Sequence, residues 1–206
     1  MTISMASRAG SIGRLLLVLA VSGCSRPQEH APVSGADSAS VRAQEPSLFE
    51  LKFPFTDADG HTRTLGEFRG TPFVASMVYT NCTSVCPRVT ADLKSLEKAL
   101  PPEVREHTRF VLFSLDPGRD TPAALTKFAE QHALDRSRWT LLASSEDDMR
   151  TLAAVLGVKF RPDEGGEIAH SAVIIVCNPD GTVRHRQLGI QQDVEPLVAA
   201  VEAAGR

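Results

Sequence analysis

The chain is 206 residues long, 42% hydrophobic and 23% charged, the mix expected of one ordinary folded domain with extensions. Its 22 basic and 25 acidic residues leave a net charge of −3. There is no basic excess to gather a polyanion, which argues against nucleic-acid binding.

Arg8 and Arg14 flank the start of an apolar region whose unbroken run, LLLVLAV, occupies positions 15–21. Such a run is too short to cross a bilayer as a stable helix but suits the core of a signal peptide. Val21-Ser22-Gly23-Cys24 comes next and resembles the processing site of bacterial lipoproteins. Residues 1–23 are therefore read as a signal peptide, with lipid attached to Cys24. This reading places the mature chain in the bacterial cell envelope, lipid-anchored to a membrane and facing the periplasm. Residues 25–46 contain no aromatic side chain and cannot bury a core, so 24–46 is expected to be a flexible tether. A flexible chain of roughly 22 residues has a root-mean-square span of about 25 Å. In an oxidising compartment free thiols need a purpose. With Cys24 lipidated, Cys82, Cys86 and Cys177 remain, an odd number that cannot all pair within the chain.

The folded domain is expected over 47–206. An Asp-Gly turn at Asp59-Gly60 predicts a hairpin across 53–65. The apolar run 72–79 (PFVASMVY) has strand length, and Val89, Leu93, Leu96 and Leu100 give helical spacing across 84–100. Residues 109–115 form a second buried strand. Thr121 as N-cap and Pro122 at the first helical position open a helix with Leu125, Phe128 and Ala129 inward. A short strand at 139–142 precedes a helix capped by Ser144 or Ser145, whose first turn carries Glu146, Asp147 and Asp148. Asn178-Pro179-Asp180-Gly181 joins strands at 171–177 and 182–188, and a last helix covers 194–204. Strands alternating with helices predict an α/β protein: a mixed central sheet flanked by helices, with an extra N-terminal β-hairpin. A βαβ half joined to a ββα half is the thioredoxin-like plan.

The chemistry concentrates at Tyr79-Thr80-Asn81-Cys82-Thr83-Ser84-Val85-Cys86-Pro87, where a buried strand ends and a helix begins. Crevices at the carboxyl ends of strands are where α/β sheets bind ligands. Helix N-termini also favour thiolates. Residues i and i+4 share one helix face, about 6 Å apart at Cβ. That separation admits either a shared metal ion or a disulfide. Spacing therefore leaves metal binding, redox chemistry or both open. A purely structural disulfide would gain little, because the loop it closes is so small. Among six histidines, His170 stands out: it opens the predicted strand at 171–177 after a stretch, 161–167, expected to be a flexible loop containing Gly165 and Gly166. In a thioredoxin-like sheet that strand start faces the cysteine loop, which makes His170 the leading third ligand. Two thiolates and an imidazole suit Cu(I), hold Cu(II) in tetragonal geometry, and are accepted by zinc. Cys177, Met77 and Met149 fall on core-like patterns.

These residues resemble the Sco/SenC copper chaperones of cytochrome c oxidase assembly. The resemblance rests on Cys82-x-x-x-Cys86-Pro87 after Tyr79-Thr80, on Asp116-Pro117-Gly118-Arg119-Asp120-Thr121-Pro122, and on His170-Ser171, and it runs from about 47 to 200. It implies a thioredoxin-like fold, copper bound by Cys82, Cys86 and His170, and preparation or supply of the oxidase's dinuclear copper site. The partners it implies are the copper-receiving oxidase subunit, a thioredoxin-like reductant or other copper carrier, and the membrane through the lipid anchor. Where the family commonly has Pro-Asp-Val between the cysteines, this chain has Thr83-Ser84-Val85. The segment 116–122 is expected to be a connector bordering the site, with an Arg119–Asp120 surface pair.

An envelope thiol–disulfide oxidoreductase using Cys82 and Cys86, or a redox or copper sensor, shares every one of these residues. The three-residue gap between the cysteines and the placement of His170 favour copper over simple exchange, which thioredoxin-type enzymes perform with Cys-x-x-Cys. A peroxidase reading is weaker, because Tyr79 stands three residues before Cys82, where peroxiredoxin-type sites place a threonine or serine.

Overall fold

The computed structural model describes residues 46–162 and 166–206. The expected signal peptide, Cys24 and all but the last residue of the expected tether lie outside these residues. After a 3₁₀ turn at Leu48–Glu50, strands β1 (Phe55–Asp57) and β2 (Thr62–Arg63) form the anticipated hairpin, and a second 3₁₀ turn comes at Leu65–Phe68. Then come β3 (Phe73–Val78), α1 (Val85–Ala99), the short α2 (Pro102–Glu106) and β4 (Arg109–Ser114). Next are α3 (Pro122–Gln131), β5 (Trp139–Ala143) and α4 (Glu146–Leu156). The chain continues through β6 (Phe160–Pro162), β7 (Ile168–His170), β8 (Val173–Cys177), β9 (Val183–Leu188) and α5 (Glu195–Ala204).

The strands other than β6 and β7 make one mixed sheet in the order β2-β1-β5-β4-β3-β8-β9. β3, β4 and β5 are parallel, while β1, β8 and β9 run antiparallel to their neighbours. β3 is buried along its whole length, so both faces of the sheet are covered. α1 packs beside α5 and β8, and Lys94 of α1 donates to the His132 carbonyl that ends α3. Glu97 of α1 likewise accepts from Arg138 and the Trp139 indole at the start of β5. This leaves α4, with Met149, Leu152, Ala153 and Leu156 buried, for the other face, where Arg186 of β9 donates to the Val155 carbonyl.

Local chemistry explains the elements. Val89, Leu93 and Leu96 of α1 are buried at the expected period. Thr121 caps α3 through the Ala124 N–H with Pro122 inside its first turn, and Ser145 caps α4 through the Asp148 N–H. Cys177, Met77 and Met149 are core residues, in keeping with their patterns.

The structure differs from the sequence reading at three points. α2 carries no buried residue and has no periodicity by which to find it. The stretch before His170 reads as a flexible loop; instead β6 and β7 pair antiparallel as a separate two-stranded sheet. His170 consequently closes β7 rather than opening β8. Strands of three residues give no detectable alternation, so the pattern of side chains does not reveal this hairpin.

The β1–β2 turn is organised by Asp57, which is 4% exposed. Its carboxylate accepts the Asp59 and His61 N–H groups at 2.9 Å each and pairs with Arg63 at 3.1 Å. Burial pushes this carboxyl up, but the His61 N–H, the Arg63 guanidinium and the Asp59 N–H outweigh it and hold the group below its ordinary 3.8. A lowered carboxyl contributes stability where it is ionised and loses that contribution as pH falls through its native-state value. Asp57→Asn is therefore expected to be about 1–3 kcal/mol less stable at neutral pH. The deficit should shrink below pH 3.8, which urea denaturation at a series of pH values will measure.

Candidate metal centre

The carboxyl end of β3 delivers Tyr79, Thr80 and then the cysteine loop. Cys82 is 7% exposed and Cys86 is fully buried, and neither forms a disulfide. Ser84, at the N-cap of α1, makes no side-chain cap bond. The Cys82 sulfur takes over that role, accepting the Cys86 N–H at 3.3 Å and also the Ser84 N–H. Pro87, in the first turn, has no N–H to leave unsatisfied. The Tyr79 N–H donates to Cys86 Sγ at 3.5 Å, so the second sulfur is fixed by the strand end.

The two thiols differ in character. Burial pushes the Cys82 thiol up, but hydrogen bonds from the Cys86 thiol and from the Cys86 and Ser84 N–H groups more than offset it, so its value is lowered. Cys86 is raised, chiefly by burial and then by the neighbouring Cys82. Cys82 is thus the sulfur that ionises first.

His170 arrives from the β6–β7 hairpin. Its Nε2 lies 3.4 Å from Cys86 Sγ, and its Nδ1 stands 3.2 Å from the Ser171 carbonyl. A carbonyl only accepts, so Nδ1 carries the proton and Nε2 offers its lone pair to the thiols, the tautomer a metal ligand needs. Burial lowers the His170 value, favouring the neutral ring. Donor atoms of Cys82, Cys86 and His170 all lie within 4.8 Å of one another. Around one trigonal ion with metal–sulfur and metal–imidazole bonds of about 2.3 and 2.0 Å, donors stand roughly 3.7–4.0 Å apart. The three residues therefore fit a soft metal ion with only small adjustment.

A second group, Asp57, Asp59 and His61, also meets this proximity test. Its carboxylates are already engaged, Asp57 by two N–H groups and Arg63, and Asp59 by Arg136. A groove of about 690 Å³ lined by Pro72, Pro101, His107, Arg109 and Pro179 contains none of the three sulfur and imidazole donors. His107 is exposed, while His132 and His185 are half-buried outside the donor cluster.

The segment 116–122 borders the site as expected, but its charges are arranged differently. Arg119 pairs with Asp116 and donates to the Gly166 carbonyl rather than meeting Asp120. Asp120 is 2% exposed and accepts from the Thr80 hydroxyl and the Ser114 hydroxyl at 2.6 Å each, and from the Thr80 N–H at 3.1 Å. Burial raises its value despite these bonds. Asp120 and Tyr79 fall within the sequence motifs, but spacing assigns neither a supporting role. Their roles become evident only when the fold brings 80 to 120 and 79 to 167.

The chain matches the SCO1/SenC family over residues 41–205. It is a member of the SCO1/SenC family. A SCO1/SenC lipoprotein of Bacillus anthracis aligns at 28% identity with a TM-score of 0.69, covering 75% of this chain and 93% of that one. BsSco, a Sco-family cytochrome c oxidase assembly protein in which a disulfide switch was identified, aligns at 26% identity and 0.66 over 79% and 93%. Copper-bound ScoI of Bradyrhizobium japonicum shares the fold at 22% identity and 0.61, over 74% and 96%. The SCO1/SenC domain here has the thioredoxin-like architecture inferred from its sequence, with the β1–β2 hairpin added at one sheet edge. The Ser84 side chain, between the two cysteines, faces solvent.

Asp120→Ala is expected to leave the Thr80 and Ser114 donors without their acceptor and cost about 2–3 kcal/mol. Asp120→Asn keeps one acceptor oxygen and should cost less, a ranking that denaturant unfolding of both variants checks.

Proposed function

We propose that this chain is a copper metallochaperone that holds copper on Cys82, Cys86 and His170 and serves assembly of the dinuclear copper site of cytochrome c oxidase. The observation that carries this reading is the convergence of two cysteine sulfurs and one imidazole nitrogen within 4.8 Å at the end of β3. Two soft sulfurs and a neutral imidazole select copper, most strongly Cu(I). Membership in the SCO1/SenC family, the copper held by B. japonicum ScoI and the assembly role of BsSco support the assignment.

Copper loading needs both thiols reduced, so a thioredoxin-like reductant belongs to the scheme, alongside a copper carrier upstream and the copper-receiving oxidase subunit downstream. The same reading has residues 1–23 removed, lipid on Cys24 and residues 24–46 as the tether that lets the domain of 47–206 reach its partner from the membrane. The B. anthracis relative is itself a lipoprotein. Among the described residues no helix is long and apolar enough to cross a membrane, so this reading assigns anchoring to the lipid.

A second reading, thiol–disulfide exchange in the envelope, is favoured by one observation: the Cys82 thiol is lowered at the start of α1. The two readings diverge at His170. Under anaerobic conditions the reduced protein is expected to take up one copper per chain, and His170→Ala to weaken that binding by at least tenfold while both thiols remain titratable. Binding indifferent to His170, or no stoichiometric copper, transfers the assignment to exchange by Cys82 and Cys86.

A further inference from the structure

The two arms of the site are not joined by backbone pairing. Cys82 and Cys86 belong to the β3–α1 junction, whereas His170 ends a hairpin that, among the described residues, shares no ladder with the main sheet. Side chains set one arm against the other. Arg119 reaches the hairpin at the Gly166 carbonyl, on its outer side. On the inner side stands Tyr79, the chain's single tyrosine, 2% exposed and edge-on to the His170 ring with centroids 5.9 Å apart.

Tyr79 touches both arms. Its hydroxyl donates to Glu167 Oε2 at 2.7 Å and accepts the Ile168 N–H at 3.2 Å, while its backbone N–H donates to Cys86 Sγ at 3.5 Å. Glu167 and Ile168 lie just ahead of His170 on the same hairpin. We propose that Tyr79 is a positioning residue: its hydroxyl, oriented by Glu167, sets the His170 hairpin against the cysteine loop at the separation that lets all three donors meet one copper ion. This rests on the copper reading of the site.

A phenol has one hydrogen. Given to Glu167, it leaves the oxygen lone pairs to receive the Ile168 N–H, so one hydroxyl ties two successive residues of the hairpin to the end of β3. Glu167 therefore matters as the acceptor that fixes the direction of the hydroxyl. Partners of this kind around a metal site typically govern affinity by 10–100-fold when removed.

The test compares Cu(I) affinity, by competition with a chromophoric chelator, for wild type, Tyr79→Phe, Glu167→Ala, Glu167→Gln and His170→Ala in the full chain. Tyr79→Phe keeps the ring against His170 and removes only the hydroxyl; affinity should fall about 10–100-fold. Glu167→Ala should fall in the same direction. Glu167→Gln, whose amide oxygen still accepts, should remain within about threefold of wild type. The Tyr79→Phe/Glu167→Ala double variant should be no weaker than Tyr79→Phe alone, the non-additivity of two groups sharing one contact. Ultraviolet Raman spectra of the metal-free protein add an independent readout, because one tyrosine gives one hydroxyl signature; it should report a strong donor in wild type and in Glu167→Gln but not in Glu167→Ala. Tyr79→Phe affinity within twofold of wild type, with wild type binding tightly and His170→Ala failing, overturns the Tyr79 role and leaves the copper site standing. Absence of copper binding by wild type removes both. If Tyr79→Phe does not fold, the Glu167 pair decides: equal affinity for Glu167→Ala and wild type rejects the proposal.

Discussion

The buried carboxylate of Asp120 governs how the chain leaves β3. It gathers the Thr80 N–H, the Thr80 hydroxyl and the Ser114 hydroxyl into one group inside the protein. A buried carboxylate without partners would be prohibitively costly, so this geometry has little room to vary. Thr80 lies between Tyr79 and the cysteine loop, and pinning it fixes its neighbours on both sides. The Tyr79 N–H is thereby aimed at Cys86 Sγ, and the loop returns in time for the Cys82 sulfur to receive the first free N–H groups of α1. Among the described residues no buried side-chain polar atom lacks a partner, which extends the same constraint through the surroundings.

The site divides into a rigid half and an attached half. The sulfurs sit at the end of β3, an inner strand of the sheet that is buried along its length. The imidazole is carried by two three-residue strands whose connection to that core is made by side chains. On the proposed function, release of the cargo gains from such a division: two donors hold station while the third is carried on an element with few backbone ties. A disulfide between the cysteines would use the same two sulfurs, so copper occupancy and oxidation of the pair exclude each other.

Much of this was legible in the residues. The helical spacing of Val89, Leu93 and Leu96, the Thr121-Pro122 and Ser145 caps and the Asp-Gly turns each act within a few residues, and each produced its element. The i, i+4 spacing did bring the cysteines together, but not on one helix face: α1 starts at Val85, so Cys82 lies in the loop ahead of it and is held there as the acceptor of the Cys86 N–H. His170 was found through its position beside β8, although the strand it belongs to was not, since three residues give no period to read. The Arg119–Asp120 pair failed for a related reason. Adjacent opposite charges look like partners, but Asp120 turns inward toward Thr80, forty residues away, and Arg119 turns toward Gly166. The role of Tyr79 depends on a contact across eighty-eight residues, which local sequence does not encode.

Cys177 has a consequence for the order of events during folding. It sits in β8 opposite Phe73, with no exposure, and burial raises its thiol to about 12. The described domain has three thiols, and before they are fixed in space any two can be joined. Once β8 docks on β3, two of those three pairings are closed and only Cys82 with Cys86 remains. In an oxidising medium, fidelity then becomes a race between encounter with an oxidant and the closure of β8 on β3, a pairing of strands about a hundred residues apart.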